Sequence, residues 1–146
     1  MRRTSGGFTL IELIVVLLVL GLAYGMTGPL IGETPVGLDL STASRQLAAG
    51  MRKARDVAVT SRKEAVLTLD LHSGTFRLTD DPRIYELPKK LSYSMFTAES
   101  ETMYTNTGSI RFFPDGSSSG GRITAAAGTS HQSVDVDWIA GRVKIL

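Results

Sequence analysis

Glu12 is the single charged side chain in the run FTLIELIVVLLVLGLAYGM, which extends over residues 8–26. A carboxylate in an apolar helix costs about 2.5 to 3.5 kcal/mol at the centre of a membrane and less near its interface, so it is held there for a partner. No basic residue of the run can serve. A neighbouring chain can supply the cation, and an α-amino group freed by cleavage after Gly7 is suitable, with an ordinary pKa of about 7.7 to 8.0.

Other chemistry finds less support. There is no cysteine, which excludes a disulfide framework, a thiolate zinc site and a thiol nucleophile. His72 and His131 lie far apart, outside any metal-spacing motif, and read as loop residues. Asp80-Asp81 and the pair Asp135 and Asp137 offer carboxylates to Ca²⁺, without an EF-hand pattern or an obvious third ligand. Serine, histidine and aspartate are present, but no nucleophile elbow brings them together, so no enzyme is expected and no catalytic residue, metal or cofactor is assigned. The glycines of residues 116–122 lack the terminal Gly-Lys-Ser/Thr of a phosphate cradle and read as a loop.

The element that carries Glu12 decides the class. As a helix, residues 8–26 are about 28 Å long, close to the hydrocarbon thickness of a bilayer. Arg2 and Arg3 precede the run and no Lys or Arg follows until Arg45, so the positive-inside bias leaves the N-terminus in the cytoplasm and the remainder outside. An ordinary secretory signal peptide is the bland alternative, with Ala23-Tyr24-Gly25 as its cleavage site before Met26. Glu12 within the apolar region and Gly6-Gly7 just ahead of it both count against that reading. A twin-arginine signal fits worse, because Thr4-Ser5-Gly6 follow the arginines.

Gly6-Gly7-Phe8-Thr9-Leu10-Ile11-Glu12, between a short basic leader and a continuous apolar helix, resembles the processing motif of type IV prepilins and type II secretion pseudopilins. The resemblance implies cleavage after Gly7 on the cytoplasmic side, N-methylation of Phe8, and a role for Glu12 in assembly.

Farther along, Gly28-Pro29 and Thr34-Pro35-Val36-Gly37 interrupt the helical pattern and predict a kink near residues 28–37. Asp39 or Ser41 is placed to cap a second helical stretch, in which Leu40, Leu47, Met51, Ala54 and Ala58 form an apolar stripe. Arg45, Arg52, Lys53, Arg55, Asp56, Arg62 and Lys63 occupy the other face, expected to be solvated or partner-facing. Alternating runs then predict strands at 65–71, 75–79, 84–87, 91–96, 109–113, 122–126, 133–139 and 142–146. His72-Ser73-Gly74 and Ala140-Gly141 read as turns between them. In the last pair Val134 and Val136 alternate with Asp135 and Asp137, and Val143 and Ile145 with Arg142 and Lys144, giving one apolar and one charged face. The stretch 114–121, rich in serine and glycine, is expected to be mobile and to face partners.

Together with residues 134–146, the segment 108–121, with its run Phe112-Phe113-Pro114-Asp115-Gly116-Ser117-Ser118-Ser119-Gly120-Gly121, resembles the C-terminal head of the GspH and FimT family of minor pseudopilins and minor pilins. That resemblance implies an α+β, pilin-like fold: a long N-terminal transmembrane and filament-core helix, then a head of two antiparallel β-sheets. The expected organisation is a leader at 1–7, an N-terminal helix at 8–63 with residues 8–26 transmembrane, and a β-rich periplasmic head at 64–146.

The function implied is that of a structural minor pseudopilin of a type II secretion system, anchored by a single pass in the bacterial inner membrane. Its partners would be the major and other minor pseudopilins, a prepilin peptidase and the inner-membrane assembly platform. A FimT-like minor type IV pilin, acting in pilus assembly or DNA uptake, is the alternative. Without Arg2 and Arg3 the 16 basic residues fall to the number of the 14 acidic ones, and a neutral chain argues against DNA as a partner.

Overall fold

The computed structural model describes residues 9–26, 36–97 and 106–146. The chain divides into two compact units, Met1–Glu33 and Thr34–Leu146. In the first, helix α1 covers Leu10–Met26. The Thr9 carbonyl accepts from the amides of Glu12 at 3.0 Å and Leu13 at 3.2 Å, so the helix starts there. Thr9-Leu10-Ile11-Glu12 has the Thr-x-x-Glu spacing of a capping box, and Glu12 lies in the first turn, at the positive end of the helix dipole.

The 17 residues of α1 measure about 26 Å. Among the described residues no helix is long and apolar enough to cross a membrane. The expected span begins at Phe8, which lies outside the described residues, as does most of the expected kink.

The second unit opens with α2, Val36–Ser61. Its start precedes the expected caps: Asp39 falls in its first turn, and the Ser41 hydroxyl donates back to the Leu38 carbonyl at 3.3 Å. All five residues of the expected stripe are buried, joined by Ala43, Ser44, Ala48 and Gly50. Small side chains dominate this face, which lets the helix axis approach the strands closely. The helix ends two residues before the expected position, where Arg62 turns to φ 54°, the left-handed conformation common just after a helix.

Among the described residues eight strands follow: β1 (Ala65–Asp70), β2 (Thr75–Leu78), β3 (Tyr85–Glu86), β4 (Ser92–Phe96), β5 (Thr107–Phe112), β6 (Gly121–Ala127), β7 (Ser130–Val136) and β8 (Val143–Ile145). They form two antiparallel sheets in the orders β3-β2-β1-β5 and β4-β6-β7-β8. Alternation sends Leu67, Leu69, Phe76, Ile110 and Phe112 of one sheet, and Ile123, Ala125, Val134 and Val136 of the other, into a core shared with α2. The core also accommodates a polar contact, since buried Ser44 donates to Gln132 Oε1 at 2.9 Å and ties α2 to β7.

The strands differ from expectation by one to three residues at most of their ends, and at the end of β7 the reason is visible. The predicted strand 133–139 starts earlier and stops at Val136, because the Asp137 carboxylate accepts from the Ile139 amide at 2.8 Å and the Ala140 amide at 2.9 Å and folds the chain back. Gly141 completes that turn at φ 58°. The stretch 114–121, expected to be mobile, is instead bonded into the fold. Ser118 pairs with Phe112 in a β-bridge, and the Ser119 amide donates to the Arg111 carbonyl at 2.8 Å.

Candidate functional site

Two surfaces can act on other molecules. The first is α1 itself. From residue 10 to residue 22 its large apolar side chains are all exposed, Leu10 at 77% and Leu22 at 63% among them. A helix apolar on every side is suited to burial in lipid or among other helices. Glu12 is the one charge on it. Of the expected processing residues, Gly7 and Phe8 lie outside the described residues.

The second surface is a groove at one end of the β4-β6-β7-β8 sheet, about 810 Å³ in volume, with Phe96, Gly121, Arg122, Asp135, Trp138 and Lys144 in its lining. Strand register aligns Phe96 with Arg122, Arg122 with Asp135, and Asp135 with Lys144, a row running across the four strands. Arg122 Nε donates to Asp135 Oδ1 at 3.2 Å. The opposite charges expected to meet between the last two strands thus pair one strand earlier. The neighbouring backbone amides and the nearby cations Arg142 and Lys144 keep the Asp137 carboxyl below the ordinary carboxylate range. Phe96 is 77% exposed and Trp138 67% exposed, both large values for aromatic side chains.

The rim of this groove is held firmly. The buried Ser118 hydroxyl donates to the Asp137 carbonyl at 3.0 Å and accepts from the Gly120 amide at 3.0 Å. The Ser118 amide donates to the Trp138 carbonyl at 3.0 Å. From α2, Arg55 Nε donates to the Gly116 carbonyl at 3.1 Å, so one cation of the expected solvated face holds a turn in place.

Lys53 likewise leaves that face. Its ammonium donates to Asp81 at 2.5 Å and to the Tyr85 hydroxyl at 3.2 Å, while Arg83 grips the same carboxylate through Nε at 3.0 Å and Nη2 at 3.1 Å. These hydrogen bonds, Arg83 first, hold the Asp81 carboxyl far below the ordinary carboxylate range. Tyr85 stacks on Phe76 with ring centroids 4.8 Å apart. The cluster fastens the short edge strand β3 to α2, and two cations engage the Asp81 carboxylate that the sequence offers to Ca²⁺.

Asp135 is engaged by Arg122, and Asp137 by its turn. Among the described residues no group of three or more His, Asp or Glu is placed to hold a metal ion. His72 and His131 are both exposed, His72 in the turn between β1 and β2 and His131 on β7 opposite Ala126. The groove and the Arg55 contact were not legible in sequence, because Phe96 sits at the end of a run expected as a strand and Trp138 within one. An aromatic in either place passes for an ordinary strand residue.

Residues 2–26 match the model of the prokaryotic N-terminal methylation motif, and residues 43–141 match that of type II transport protein GspH. The chain belongs to the GspH family. A type II secretion system protein H from Xanthomonas campestris is 28% identical over 143 residues, covering 98% of this chain and 84% of the relative. In fold this GspH chain is similar to the minor pseudopilin EpsH of the type II secretion system of Vibrio cholerae, with TM-score 0.61, 9% identity, and 77% and 98% of the two chains covered. It is also similar to the type IV minor pilin FimU of Pseudomonas aeruginosa, with TM-score 0.57, 13% identity, and 73% and 87% covered. The pilin-like α+β architecture is shared, and family and motif together make this a GspH-type minor pseudopilin.

Proposed function

We propose that this minor pseudopilin is cut after Gly7, methylated on the Phe8 amine, held in the inner membrane by residues 8–26 with its head in the periplasm, and drawn from there into a short filament. The observation that carries the reading is α1: a helix with every described apolar side chain exposed and one carboxylate in its first turn. Its role is mechanical rather than catalytic. Adding subunits at the membrane would extend the filament, with apolar helices packed centrally, and so help folded proteins through the outer membrane. Other pseudopilins, a prepilin peptidase and the assembly platform would be its partners.

In this reading Glu12 meets the Phe8 amine of an adjacent subunit and sets the axial register, an attraction strengthened by apolar surroundings. The capping-box spacing offers a structural role instead, and two substitutions separate them. Glutamine keeps the capping-box type but removes the charge. Both Glu12→Ala and Glu12→Gln should therefore leave the head folded and the subunit in the membrane, yet lower its incorporation into filaments at least tenfold, as read by co-purification. Normal incorporation of the glutamine variant would remove the register role.

A second reading, a minor type IV pilin that captures DNA, is favoured by Arg142 and Lys144, which form no salt bridge among the described residues. Gel retardation of DNA that collapses steeply with salt would support it.

A further inference from the structure

The exposed end of the β4-β6-β7-β8 sheet brings exposed aromatic side chains and exposed cations to one groove. Phe96 and Trp138 line one groove and are each more than two-thirds or nearly four-fifths exposed, at 67% for Trp138 and 77% for Phe96. Aromatic side chains and arginines are the residues that most often anchor protein interfaces. The charge in the groove is uneven. Asp135 is taken by Arg122, and the Asp137 carboxylate is directed into the amides of Ile139 and Ala140. Arg142 and Lys144 are exposed and form no ion pair among the described residues, and although both act on Asp137 at longer range, two cations against that one carboxylate leave the groove positive.

The site is also preformed. Ser118, Gly120 and Arg55 fix the turns on either side of Trp138, so ordering these groups adds little to the cost of binding. Within the head the groove lies toward the end of α2 that carries Arg55. Ser44, nearer the start of α2, docks on Gln132 well back along β7. A ligand in the groove would therefore leave the start of α2 uncovered.

We propose that this groove docks an extended acidic segment of a neighbouring envelope protein, with an aromatic or long aliphatic side chain placed between Phe96 and Trp138 and carboxylates on Arg142 and Lys144. The inference rests on the pseudopilin reading only for the company the chain keeps. Docking can be read with no filament present, so either claim can fail alone.

Trp138 is the chain's one tryptophan, which makes its emission a direct report on the groove. The full chain in detergent micelles is titrated with the peptide Asp-Glu-Phe-Glu-Asp, with Lys-Lys-Phe-Lys-Lys, with Asp-Glu-Ser-Glu-Asp, and with short single-stranded DNA. The first peptide should shift Trp138 emission to the blue and shield it from acrylamide, weakening as salt rises. The basic and phenylalanine-free peptides should bind at least about tenfold more weakly, as should the first peptide to an Arg142→Gln, Lys144→Gln double variant, a loss of about 1.4 kcal/mol. An unchanged melting temperature of that variant assigns its loss to the groove, and if it melts early the salt titration of the parent chain decides. Four results would each overturn the proposal: no response to the acidic peptide, an equal response to the basic one, binding indifferent to salt, or a response to DNA alone. A shift produced by concentrating the chain without any peptide would assign the groove to a second copy and overturn it as well.

Discussion

Gly50 looks out of place in a long helix, since glycine costs about 1 kcal/mol there relative to alanine. The reason is a ring: a Cβ at this position would stand 2.6 Å from Phe76 Cε2 and 3.0 Å from Cζ. Phe76 is buried and stacked on Tyr85, so it has little room to withdraw. Gly50→Ala should therefore destabilise the head by about 1 to 2 kcal/mol net, overpacking outweighing propensity, and a melting curve checks the sign. Asp81 gives a second test at this scale. Its depressed carboxyl contributes stability that is fully present above the ordinary carboxylate pKa of about 4 and is lost as pH falls toward the folded value. Asp81→Asn should be less stable than the parent at pH 7, by a gap that narrows only below about pH 4. A gap unchanged down to pH 2 in denaturant titrations would contradict it. Neither role was legible in sequence. Asp81 reads in sequence as half of an acidic pair and Gly50 carries no signal of its own, because the partners Lys53 and Phe76 lie on other elements.

At the scale of elements, periodicity carried far. The stripe of α2 and the inward residues of both sheets follow from spacings of three to four and of two, which hold wherever one face is buried. The hairpin from β6 to β7 was missed in part, because Ser130, His131, Gln132 and Ser133 show no apolar alternation. Gln132 faces inward all the same, satisfied by Ser44. The stretch 114–121 misled more, since its composition is that of a flexible linker while its bonds are those of a folded turn. Ser118→Ala removes the acceptor of the Gly120 amide and a donor to the Asp137 carbonyl, and should cost about 1 to 3 kcal/mol. The amides of Ser118 and Ser119 should accordingly exchange slowly with deuterated solvent. Exchange as fast as that of an unfolded chain would restore the mobile loop.

For the whole molecule, the sequence reading and the fold meet most fully in the head, where an α+β arrangement with two antiparallel sheets was expected and is present. The groove was not expected, because it depends on strand register that brings residues from 96 to 144 into one row. The N-terminal methylation motif was legible in the sequence, and the processing proposed there would involve a peptidase and other subunits rather than this chain's own packing. The account turns on one joint claim, that the chain is cut after Gly7 and then lives in a filament through α1. Mass spectrometry of the chain recovered from sheared envelope filaments tests both halves at once. The recovered chain should begin at Phe8 and carry one added methyl group on its amine. A chain that begins at Met1 or Met26, or one absent from filaments while abundant in the membrane, would contradict it.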